Sequence, residues 1–160
     1  MKNNIKKIVF FISLFLSVSL SSFSSEQFNF DITEIEITEN GNKFKGLKRG
    51  TVTSNNGTII DADEFIYEKI LNILSAKGNV KILDKENNYI IYSENVKYFK
   101  NEEKIVTKGN SKALTNNTVI YADEFDYYKK LNIFKAKKNV RLEDSKEDIV
   151  LLTEEMSYEK

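Results

Sequence analysis

The stretch IIDADEFIY, Ile59 to Tyr67, returns as VIYADEFDY at Val119 to Tyr127. Two weaker copies complete the series: IIYSENVKY at Ile90 to Tyr98 and VLLTEEMSY at Val150 to Tyr158. The starts at 59, 90, 119 and 150 are spaced by 31, 29 and 31 residues, the mark of a repeat architecture. The shared pattern is two aliphatics, a variable position, a small residue, an acid, a polar residue, an apolar residue, any residue and Tyr. The small position holds Ala62, Ser93, Ala122 and Thr153, and every copy ends in Tyr.

A second phrase lies between the copies: LSAKGNVKI at Leu74 to Ile82, IVTKGNSKA at Ile105 to Ala113 and FKAKKNVRL at Phe134 to Leu142. Its period of two puts Leu74, Ala76, Gly78, Val80 and Ile82 on one face of an extended strand and Lys77, Asn79 and Lys81 on the other. Apolar residues at 74, 76, 80 and 82 do not fit a 3.6-residue period, which argues against helix. In the first phrase the inward set steps by three, from Ala62 to Phe65, as a β-bulge or strand corner at Asp63–Glu64 would require. A small residue suits a bend where two backbones approach.

Each repeat therefore reads as strand, short turn, strand, loop. The turns follow the Tyr at Lys100–Asn101 and Lys129–Lys130, and Asn56-Gly57 and Asn40-Gly41 are further turn signals. KFKGLKRGTVT, from Lys43, resembles a degenerate copy of the second phrase. About three and a half hairpins follow from Gln27 onward, with no linker or second domain. The last copy ends at Tyr158, which leaves its strand as an edge open to another chain.

Composition narrows the chemistry. The chain has 160 residues, 24 basic and 24 acidic side chains, and no Cys, His or Pro. Without Cys or His, disulfides, Cys–His catalysis and the Ser-His-Asp triad are excluded, and a zinc site would need carboxylates alone. Balanced charge argues against nucleic acid as a partner. The pairs Asp63–Glu64 and Asp123–Glu124 point to opposite faces and do not converge, so they read as capping at the bend. No column of convergent acids exists for a carbohydrate-active β-helix enzyme, so the chain is read as no enzyme, without cofactor or metal. The basic clusters Lys43, Lys45, Lys48, Arg49 and Lys135, Lys137, Lys138, Arg141 suit either lipid phosphates or a solvated strand face.

MKNNIKK followed by the apolar run Ile8 to Leu20 and SSFSS has the form of an export signal over residues 1–24. The run is shorter than the ~20 residues that span a bilayer. Cleavage after Ser24 and retention as an anchor both remain open. Loss of Lys2, Lys6 and Lys7 would leave 21 basic residues of the 24 against 24 acids.

Ile60, Ala62, Asp63 and Tyr67, alternating with Ala76, Gly78, Asn79, Val80 and Ile82, resemble the paired motifs of the organic-solvent-tolerance (OstA-like) family. That family includes the periplasmic carrier LptA and the N-terminal module of LptD. The resemblance covers residues 28–160; Lys138 in place of Gly and Ser111 in place of Val depart from the pattern. It implies an all-β, open, twisted β-jellyroll of stacked hairpin repeats of about 30 residues. It further implies a periplasmic or outer-membrane-associated module of lipopolysaccharide transport that holds lipid A acyl chains in an apolar groove and joins other Lpt jellyrolls by edge-strand addition. The expected lining is Ile60, Ala62, Phe65, Leu74, Val80, Ile82, Ile91, Val96, Ile105, Ile120, Phe125, Phe134, Val140 and Leu142. From periodicity alone the same stripe is an ordinary core. The alternative reading is a structural or adhesive β-solenoid without a lipid ligand.

Overall fold

A computed structural model describes residues 27–159, and the expected export signal over residues 1–24 lies outside that range. The strands are β1 (Phe28–Asp31), β2 (Ile35–Thr38), β3 (Lys43–Gly46), β4 (Gly50–Ser54), β5 (Ile59–Ala62), β6 (Glu64–Glu68), β7 (Ile73–Asp84), β8 (Tyr89–Phe99), β9 (Lys104–Leu114), β10 (Thr118–Tyr128), β11 (Ile133–Asp144) and β12 (Ile149–Glu159). All pairings are antiparallel, in the order β1-β4-β5-β7-β8-β9-β10-β11-β12, with a branch β2-β3-β6-β7. The described edges β1, β2 and β12 do not pair with each other, so the sheet is an open jellyroll, as the family resemblance implied.

The branch arises because β7 is longer than its partners. Its first half pairs with β6 and its second half with β5, and the two short strands are one run broken at Asp63. The Asp63 N–H donates to the Lys77 and Gly78 carbonyls at 3.2 and 3.0 Å, holding the break against β7. The same break line crosses each long strand and divides the sheet into two leaves that face one another. Contacts between leaves show where the core lies: Phe28 meets Tyr67 with ring centroids 5.0 Å apart, and Tyr89 meets Phe134 at 4.6 Å.

The step from Ala62 to Phe65 is present as expected, with both side chains buried. The second phrase is not the uninterrupted strand its alternation suggested. Register shifts between Lys77 and Val80, where Gly78 and Asn79 oppose Glu94 alone and take left-handed φ of 77° and 46°. Gly109–Asn110 and Lys138–Asn139 do the same, with φ of 91°, 46°, 65° and 52°. Gly78 therefore belongs to a two-residue bulge, not to the inner row. A Cβ on Gly78 would sit 2.6 Å from an Asp63 carboxylate oxygen, and Asn79 donates to that carboxylate at 2.7 Å. Asn tolerates the left-handed region and supplies the donor; Gly leaves room for the acid.

Gly57 has φ of 81° with nothing near its missing Cβ, so Gly57→Ala isolates the backbone cost, about 1 kcal/mol. Gly78→Ala adds the clash with Asp63, and urea unfolding is expected to show at least ~1 kcal/mol of further loss. Equal losses for the two variants would mean that the bulge does not press on Asp63.

Candidate functional site

All fourteen expected lining residues lie on the inner face; thirteen are buried and Leu142 is partly buried. Register sorts them into rungs. In one leaf Ile60, Ile82, Ile91, Ala113, Ile120, Leu142 and Leu151 pair in turn across the strands. In the other, Phe65, Ala76, Val96, Thr107, Phe125, Ala136 and Met156 form a second rung. Tyr67, Leu74, Tyr98, Ile105, Tyr127, Phe134 and Tyr158 form a third. Facing side chains fill the space between leaves, and Tyr127 stacks on Phe134 with centroids 4.2 Å apart.

The repeated tyrosines are absent from the expected lining, although each copy ends in one and Tyr67 shares the face of Phe65. Sequence reasoning also missed the polar seam at the bend. Ser111 is buried and within 2.7 Å of the Thr107 hydroxyl and 3.2 Å of Ser93, while Thr107 accepts from the Phe125 N–H at 3.0 Å. Ser in place of Val is thus a hydrogen-bonded substitution.

A polar cluster ties the leaves together along one rim. The Tyr127 hydroxyl donates to Asp84 at 2.6 Å; Lys129 donates to the Thr58 hydroxyl at 2.6 Å and lies 3.5 Å from Asp84. Asn56 donates to Glu103 at 2.7 Å, and Tyr98 and Lys100 donate to the same carboxylate. Lys100 and Lys129 are 6% and 4% exposed, so each cation is sustained by its partner and not by water. Burial pushes the Tyr98 and Tyr127 hydroxyls far up, which keeps both as donors. Burial also pushes Glu103 up, but hydrogen bonds from Lys100 and Tyr98 outweigh it and the carboxyl sits below the usual range. A Lys two residues after Tyr, at 100 and 129, was the sequence signal for this rim.

The inner face is uncovered at the last hairpin. Ile149 and Leu151 of β12 face inward yet are 51% and 45% exposed, beside the partly buried Leu142, Met156 and Tyr158. On the outer face of β12, Val150 and Leu152 are more exposed still. At the opposite end Ile35 and Ile37 of β2 are exposed next to Phe44. A separate trough of about 510 Å³ crosses β6 to β9 at the bend. The inward lining residues Phe65, Ala76, Val96 and Thr107 are nearly fully buried, so its free surface lies on the outward ones, Ile66 and Val106 among them.

Seven of the eight basic-cluster residues are paired with acids within the chain, and Lys135 lies over the Tyr128 ring at 5.6 Å. Lys43, Lys45, Lys48 and Arg49 pair with Glu39, Glu36, Glu34 and Asp63 at 3.3, 3.5, 2.9 and 2.7 Å. Lys137, Lys138 and Arg141 pair with Asp126, Glu124 and Glu143 at 3.2, 2.9 and 2.6 Å. The solvated-face reading fits both clusters.

No family model and no curated protein matches the chain. Among solved structures its fold is similar to that of LptH from Pseudomonas aeruginosa, described as the LptA homologous periplasmic component of the conserved lipopolysaccharide transport device. The TM-score is 0.55 at 11% identity, covering 78% of this chain and 80% of that one. At this identity the fold is what the two share.

Lys129→Met leaves Asp84 without its buried cation and is expected to cost about 3 kcal/mol in denaturant unfolding. The same change at the exposed Lys138 is expected to cost less than ~0.5 kcal/mol. Hydrogen bonds from Arg49 and then Asn79 hold the Asp63 carboxyl below its ordinary range. That stabilisation is present above the unfolded value of about 3.9 and is lost as pH falls through the lower folded value. An NMR titration of Asn79→Ala is expected to move the Asp63 midpoint upward; an unmoved midpoint would show that Asn79 does not stabilise the charged form.

Proposed function

We propose that this chain is an exported, periplasmic lipopolysaccharide-binding and bridging module, with residues 1–24 as its export signal and residues 28–160 as the jellyroll. The observation that carries the reading is the set of inward apolar rungs that run the length of an open jellyroll and stay uncovered at β12. The likeness to LptH supports the same kind of role. An LptA-like carrier and an LptD N-terminal module are both consistent with it.

The physics suits transfer. Each acyl methylene removed from water contributes ~0.8 kcal/mol, so about ten of them contribute ~8 kcal/mol gross. A lipid needs that shelter in an aqueous compartment, and an open end lets it leave for the next module. Acyl chains enter along Leu142, Leu151 and Ile149, where the inner face is bare. Deeper seating against Ile120, Phe125, Phe134 and Val140 parts the leaves. The remaining lining positions, Ile60, Ala62, Phe65, Leu74, Val80, Ile82, Ile91, Val96 and Ile105, continue the path. The rim ties gather between β5 and β10 and leave β12 outside them. Other Lpt jellyrolls add to the free strand edges.

The filled interior favours a second reading, a structural module without a ligand. A photoreactive residue at Leu142, on the inner face, distinguishes the two from one at Leu152, on the outer face. Crosslinking of lipopolysaccharide at 142 and not at 152 is the expected result. Absence at both sites, in protein with intact strand circular dichroism, would leave the structural module.

A further inference from the structure

Three acids at the bend each hold the Asn of a left-handed bulge sixteen residues further on. Asn79 donates to Asp63 at 2.7 Å, Asn110 to Glu94 at 2.5 Å and Asn139 to Asp123 at 2.9 Å. The sequence separation is 16 in every case. Glu154 occupies the fourth such position. Register places it opposite Lys138–Asn139, as Glu94 stands opposite Gly78–Asn79. Asn139 is engaged by Asp123, just as Asn79 is engaged by Asp63. Glu94 then receives its own Asn from the strand on its other side, and β12 has no described strand on that side.

We propose that the free edge of β12 accepts an antiparallel strand carrying a left-handed x-Asn bulge, whose Asn side chain donates to Glu154. Pairing by analogy with β8 and β9 would cover Ile149 and Leu151 with the inward aliphatics of the incoming strand and line up Val150 and Leu152 with its outward ones. That accounts for four consecutive aliphatic residues, 149 to 152, that are 45% to 72% exposed. The free edges β1 (FNFD), β2 (IEIT) and β12 contain no left-handed pair, so among the described residues a second copy of this chain presents no matching edge. The occupant we assign is a bulged strand of the same repeat architecture at the edge of another protein. The inference rests on the edge-addition part of the proposed function and is independent of lipid.

The chain's own second phrase provides the probe. A labelled peptide ILSAKGNVKILD, the sequence of β7, is titrated with full-length protein by fluorescence anisotropy. Replacing the peptide's Asn by Ala is expected to weaken binding about tenfold, as is Glu154→Ala in the protein. The two changes together are expected to weaken it no more than either alone. Binding that ignores both changes, or losses that simply multiply, would overturn the latch while leaving edge addition intact. No binding by the unmodified protein would overturn edge addition as well. Lipopolysaccharide crosslinking at Leu142 on the same preparation reports separately on the lipid reading.

Discussion

The fold depends on a carboxylate held by a left-handed asparagine. An extended sheet with two apolar-facing halves must bend to bury its inner face, and bending breaks ladder hydrogen bonds. Here the break is repaired locally. Asp63 accepts from Asn79 and Arg49, and its own N–H reaches two carbonyls of β7. Repetition at Glu94 and Asp123 lines the bends up, so that every strand turns at the same place. The leaves then face each other along their length, and the apolar rungs follow from that alignment.

Lys138 tests the economy of this device. A residue with a Cβ in the left-handed region carries a backbone cost that Gly avoids. Its ammonium pairs with Glu124 at 2.9 Å, a modest return for an exposed ion pair. The last full repeat keeps its asparagine bond and the bulge survives without Gly.

Between the leaves, two kinds of closure compete. From β5 to β11 the leaves close with packed aromatics and a buried rim of lysines, tyrosine hydroxyls and carboxylates, which penalises separation because each buried charge would lose its partner. β12 has bare aliphatics instead. Opening the leaves there sacrifices little, since Leu151 and Ile149 are already half in water. The middle of the sheet is thus tied, and the inner face of β12 stays bare.

The sequence by itself determined the all-β class, the repeat of about thirty residues, the three-residue step at the bend and the inner apolar rows. These are legible because strand side chains alternate with a fixed period, and a repeat states that period several times. Register, the conformation of Gly78 and Asn79 and the tie from Tyr127 to Asp84 were decided only by the tertiary structure. Asp84 and Tyr127 lie 43 residues apart, and nothing local marks them as partners. The Gly-Asn bulge hid within an alternation it interrupts: Val80 and Ile82 keep the parity of Leu74 and Ala76, because the one extra residue on β7 offsets the three-residue step from Ser93 to Val96 on β8.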